Sequence, residues 1–105
     1  MDIFRIEIIT AQERNSAITK VKDVITSVGG WVTSHQLFSN TSASINFEVG
    51  YRAVDDMIDK LERLHLHPTI INDCERDKDG ELMGGVALIF IHDEPEMKRD
   101  VPPFG

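Results

Sequence analysis

The stretch from Gly29 to Gly50 restricts the possible folds of this chain more than any other. It holds two strand-like runs joined by the corner Ser39-Asn40-Thr41-Ser42, with glycine at both ends. In the second run Ala43, Ile45, Phe47 and Val49 alternate with Ser42, Ser44, Asn46 and Glu48, the period-two pattern of a half-buried strand. In the first run Val32 and Phe38 share a face with Ser34 and Gln36, while Trp31, Thr33, His35 and Leu37 share the other. A strand with apolar residues on both sides and polar ones between belongs at an edge or an interface. Helical patterns flank both outer ends, so the stretch is the hairpin in the middle of a larger αββα arrangement.

Upstream, Phe4, Ile6 and Ile8 alternate with Arg5 and Glu7, which predicts the first strand. Ala17, Ile18, Val21, Val24, Ile25 and Val28 then fall at helical spacing, with Asn15 or Ser16 as the expected N-cap and Gly29 where a left-handed C-cap belongs. The spacing predicts one helix from Ser16 to Val28. Beyond Gly50, Val54, Met57, Ile58, Leu61 and Leu64 predict a second helix. Its acids Asp55, Asp56 and Asp59 lie early and its bases Lys60 and Arg63 late, as the helix dipole favours, and Pro68 stops it.

Thr69 to Glu75 and Leu82 to His92 both have strand character. Asp79-Gly80 is a preferred pair for a two-residue hairpin turn, so these two runs are expected to pair, with Lys78 facing Glu81. Gly84-Gly85 suggests a bulge rather than a phosphate cradle, which requires a following helix. The run from Val86 to Ile91 is apolar on both faces and calls for cover on both sides.

The order is therefore β-α-β-β-α-β with one strand more. Two helices cover one face of an antiparallel sheet, which predicts an α+β fold, a two-layer ferredoxin-like sandwich with an additional C-terminal strand. Its first and third strands are expected at the centre. One domain spans residues 1–92, and 93–105, with Pro95, Pro102 and Pro103, forms a C-terminal arm. The other sheet face would carry Arg5, Glu7, Ser42, Ser44, Asn46, Glu48, Thr33 and His35, without the aromatic platform of an RNA-binding sheet.

Charge narrows the partners. Eighteen acidic against eleven basic side chains leave a formal charge of -7, which repels nucleic acid and anionic membranes. Cys74 is the only cysteine, so no internal disulfide forms. The N-terminus enters a strand pattern without a leader signature, and no apolar run approaches the roughly 18 residues of a membrane span. These features point to a soluble cytoplasmic protein. The two-sided apolar run from Val86 to Ile91, together with Trp31 and Leu37, points to a homo-oligomer.

The Arg5-Ile6-Glu7-Ile8 strand, the helix carrying Ala17, Ile18, Val21, Val24, Ile25 and Val28, the Gly29-Gly30-Trp31-Val32 segment and the Ile45-Asn46-Phe47-Glu48-Val49 strand together resemble the ACT-domain group of small regulatory modules. The resemblance covers residues 3 to 76 and lies in the pattern rather than in a signature. It implies an amino acid or similar small effector bound between paired subunits near the loop from the first strand to the first helix. On that basis the expected ligand-binding residues are Gln12, Glu13, Arg14 and Asn15, with Trp31 and His35 from the hairpin. Members of the group often carry an Asp and a Gly in that loop, and this chain has neither.

Nothing in the chain assembles an acid, a base and a nucleophile. Asp73 and Glu75 flank Cys74 and oppose the thiolate. The reading is a non-enzymatic regulatory domain with no assigned cofactor. Two alternatives stand beside it. One is a transition-metal-binding protein using His65 and His67 with His35, His92 or Cys74; the bland account of that pair is favourable interaction with a helix C-terminus. The other is an enzyme whose site is built across subunits.

Overall fold

A computed structural model describes residues 3–91. The expected arm, 93–105, and His92 lie outside the described residues. The elements are β1 (Phe4–Thr10), α1 (Arg14–Ser27), β2 (Trp31–Ser39), β3 (Ser42–Gly50), a 3-10 turn (Tyr51–Ala53), α2 (Val54–Arg63), β4 (Thr69–Asn72) and β5 (Glu81–Phe90). The five strands form one mixed sheet in the order β2-β3-β5-β1-β4. Both helices pack on one face of it, which makes a two-layer α+β sandwich.

The sheet departs from expectation at its last strand. β5 does not pair with β4. It lies between β1 and β3, parallel to β1 and antiparallel to β3. A two-residue turn at Asp79-Gly80 would have placed β5 outside β4, but the connection from 73 to 80 instead carries the chain past the start of β1. Arg76 anchors that passage. Its guanidinium sits 5.8 Å from the centroid of the Phe4 ring and pairs with Asp55 and Asp73 at 2.7 Å each. Arg52 holds the far end of the connection through Asp77 and Asp79.

The expected bulge at Gly84-Gly85 is also absent, because β5 keeps continuous register with both neighbours through these residues. Gly84 lies between Phe4 and Phe47 in the register, and the Phe47 ring occupies the space above it. A Cβ there would meet Phe47 Cζ at 2.5 Å. Glycine is present for packing rather than for a bend. Leu82, Val86, Leu88 and Phe90 of β5 are buried on the helical side, while Met83, Ala87 and Ile89 on the other face are only partly covered. The strand is thus sealed on one side, not on both.

In β2 an irregularity between Val32 and Ser34 resets the alternation of side chains. Val32, His35 and Leu37 lie opposite Phe47, Ile45 and Ala43, all buried on the helical side, whereas Trp31, Ser34 and Gln36 lie opposite Glu48, Asn46 and Ser44. Asn46 donates to Ser34 Oγ across that open face at 3.0 Å. Even alternation along the strand would put Trp31 and His35 on one face. One extra residue in the strand separates them, since a slip of one reverses every following side chain.

Both helices end alike. The amides of Gly29 and Gly30 donate to the carbonyls of Thr26 and Ile25 at 3.0 and 2.9 Å, and Gly29 has φ +87°, which is the Schellman arrangement. At the end of α2, His65 and Leu66 donate to Glu62 and Leu61 at 2.9 and 3.1 Å, and His65 has φ +62°. Leu66 is fully buried beyond it. His65 therefore occupies a backbone position that glycine fills best. His65→Gly is expected to raise stability by about 0.5–1 kcal/mol and His65→Val to lower it by about 1–2 kcal/mol. Urea midpoints of the two variants check this; the opposite ranking would mean that the helix does not end in this way.

Candidate functional site

The loop from β1 to α1, the corner between β2 and β3, and the last residues of β5 meet at one end of the sheet. Thr10 holds the loop at its base, its buried Oγ1 accepting from the Gln12 amide at 3.0 Å while its carbonyl accepts from the Ile91 amide at 2.9 Å. Gln12 ties the loop to the end of α2, donating to the Leu64 carbonyl at 3.1 Å and accepting from Lys20 Nζ at 2.7 Å.

Glu13, rather than Asn15 or Ser16, caps α1. Its two carboxylate oxygens accept from the amides of Asn15 and Ser16 at 2.9 Å each. Those amide hydrogen bonds hold its carboxyl below the usual carboxylate range. Its charge is turned toward the helix end that welcomes it.

Arg14 is left facing the loop. Its Nη1 donates to Asn40 Oδ1 at 2.8 Å, whereas its Nε is buried and has no hydrogen-bond partner. Around it lies a pocket of about 330 Å³ lined by Ala11, Gln12, Glu13, Arg14, Asn40, Phe90 and Ile91. A cation held by Asn40 beside Phe90 and Ile91 suits a small molecule with a carboxylate and an apolar portion. Of the residues expected to bind ligand, Gln12, Glu13 and Arg14 line this pocket, and Asn15 is in the adjoining first turn of α1.

Trp31 and His35 lie apart from it. Trp31 opens β2, about 26 Å along the strand from the corner at the usual rise per residue. His35 is midway, with Nδ1 3.1 Å from Lys22 Nζ on α1. Asn40 joins the pocket unannounced by the sequence. A corner asparagine ordinarily reads as turn chemistry, and its partner Arg14 is 26 residues away.

The histidine pair has a local explanation. His65 and His67 both have positive φ, their ring centroids are 6.1 Å apart, and His67 Nδ1 lies 2.5 Å from Glu62 Oε1. Among the described residues no three His, Cys, Asp or Glu side chains are grouped to hold a metal ion. Cys74 is half-buried in a wider hollow with Phe4, Tyr51, Lys78, Leu82 and Met83. Burial pushes its thiol up, with Asp73 and Asp55 adding to the effect and Arg76 opposing it, so it is not poised as a thiolate.

Fold and site together define a two-layer α+β domain with a small, cation-bearing pocket at one end of its sheet. No protein-family model, no curated protein and no solved structure matches this chain. No helix among the described residues is long and apolar enough to cross a membrane.

Proposed function

We propose that this chain is a non-enzymatic, ACT-like regulatory domain that works as a dimer or higher oligomer and binds a small carboxylate-bearing metabolite, such as an amino acid, in the β1–α1 pocket. The observation that carries the reading is the guanidinium-bearing Arg14 on the wall of this pocket beside Phe90 and Ile91, because a guanidinium fork is the side chain best matched to a carboxylate. The β-α-β-β-α-β order of the strands and α-helices before β5 supports the ferredoxin-like comparison, while the insertion of β5 between β1 and β3 sets this domain apart from that arrangement.

A binding ligand stabilises the folded state by about 2.7 kcal/mol at a hundred times its Kd, which moves the Tm of a domain this size by several degrees. A panel of amino and keto acids is therefore expected to contain compounds that raise the Tm, and Arg14→Gln is expected to remove the shift without lowering the ligand-free Tm by more than a few degrees. A panel with no effect, or a shift that survives Arg14→Gln, rejects the pocket.

A further inference from the structure

We infer that β2 is the surface through which this chain joins a second copy of itself, by antiparallel pairing of the two β2 strands about a two-fold axis near Ser34 and His35. The inference rests on the reading of the domain as self-associating, and adds the surface and the symmetry.

The two edges of the sheet differ sharply. β4 is four residues long and follows directly on Pro68, so it offers little to pair with. β2 is nine residues long, contains no proline or lysine, and pairs only with β3 among the described residues. One side of its backbone is left with free N–H and C=O groups, the usual template for another strand. Strand edges of this length are ordinarily shielded by charge, proline or bulges; this one has neither proline nor charge, and its irregularities lie toward its two ends, at Val32/Ser34 and Leu37/Ser39.

The order of residues along β2 says which strand fits. Trp31 at one end is 44% exposed, and Leu37 and Phe38 at the other are 48% and 60% exposed. Between them stand Thr33, Ser34, His35 and Gln36. The pattern apolar, polar, apolar reads nearly the same in both directions. An antiparallel copy centred near Ser34 and His35 sets the Trp31 end of one strand beside the Phe38 end of the other, and the polar middles beside each other. A two-fold interface requires this self-complementarity, whereas an unrelated strand does not.

Charge selects the same surface. No Asp, Glu, Lys or Arg falls within positions 24–47, and the charges set beside β2 are Lys22, whose Nζ is 3.1 Å from His35 Nδ1, and Glu48, opposite Trp31. Two copies carrying -7 each repel one another over most of their surfaces. They approach at less cost along a strand that has no Asp, Glu, Lys or Arg of its own. A positively charged partner would instead be drawn to the acidic regions elsewhere.

The test uses the full chain. Thr33→Lys combined with Phe38→Lys places like charges along the paired edges, and Ile71→Lys places one on the opposite edge. Light scattering and sedimentation across the micromolar range are expected to give an oligomer for the wild type and for Ile71→Lys. For the double variant the dissociation constant should be raised at least about tenfold, since apposed like charges oppose association strongly. Trp31 is the only tryptophan, so its emission is expected to shift to the red as the wild type is diluted. Amide exchange in β2 should slow as wild-type concentration rises, a measurement that holds even if the double variant misfolds.

A wild type that is monomeric throughout overturns both self-association and this surface. An oligomer whose mass is unaffected by the double variant, or whose β2 amides exchange at a rate independent of concentration, overturns β2 alone and leaves self-association through another surface standing.

Discussion

Gly84→Val is expected to destabilise the domain by more than about 3 kcal/mol, and Gly84→Ala by about 2–3 kcal/mol, at the upper end of what overpacking a core costs. The physical cause is the Phe47 ring. A Cβ on Gly84 would lie 2.5 Å from Phe47 Cζ, 2.7 Å from Cε1 and 3.2 Å from the Phe4 carbonyl oxygen. Phe47 is 1% exposed and enclosed by the core, so its ring has nowhere to move without displacing further side chains. A domain of this size has roughly 5–10 kcal/mol in total, so the valine variant should be close to unfolding at moderate temperature. Urea melts give the direct measurement. Placing Gly84→Ala in a Phe47→Leu background supplies a sharper one, because the missing ring should reduce the cost of the alanine by about 1 kcal/mol or more. Strict additivity, within about 0.5 kcal/mol, would show that the two residues do not press on each other.

The second large effect concerns the glycine pair between α1 and β2. Gly30→Ala is expected to cost about 3 kcal/mol and Gly29→Ala only about 1 kcal/mol. Gly29 adopts φ +87° but has open space around it, so alanine there incurs only the left-handed backbone penalty. Gly30 has an ordinary φ, yet its Cβ would sit 2.5 Å from the Glu48 carbonyl oxygen and 3.2 Å from the Ile25 carbonyl oxygen. Both obstacles are backbone, one in β3 and one in α1, and neither can turn aside as a side chain can. Thermal melts of the two single variants decide the matter, and a costlier Gly29→Ala would overturn the argument.

The site was legible in part, and the reasons are local. Glu13 and Arg14 fall at the junction of β1 and α1 because β1 ends and α1 begins within a few residues, which leaves little freedom. Asn40, Phe90 and Ile91 come from parts of the chain distant in sequence, and nothing in their own surroundings marks them as a pocket wall. Strict alternation groups Trp31 and His35, and one irregular residue in β2 parts them. The His65 and His67 pair has a backbone role that the side-chain pattern does not reveal. Two histidines near a helix end invite thoughts of a metal, whereas the backbone shows His65 at the left-handed position that closes α2.

What the sequence by itself determined is the set of elements: a strand, a helix, the hairpin from Gly29 to Gly50, a second helix and two more strands. These follow from periodicity and helix-ending residues, which act over a few neighbours and can be read one segment at a time. The sequence also determined that the chain is acidic and has a single cysteine. The tertiary structure alone decided where β5 goes. A strand with apolar residues on both faces satisfies its own pattern equally well outside β4 or between β1 and β3. The placement between β1 and β3 brings the Arg76 anchor over Phe4 and the fit of Gly84 beneath Phe47, contacts between residues far apart in the chain. It is that placement which leaves β2 as the long free edge of the sheet.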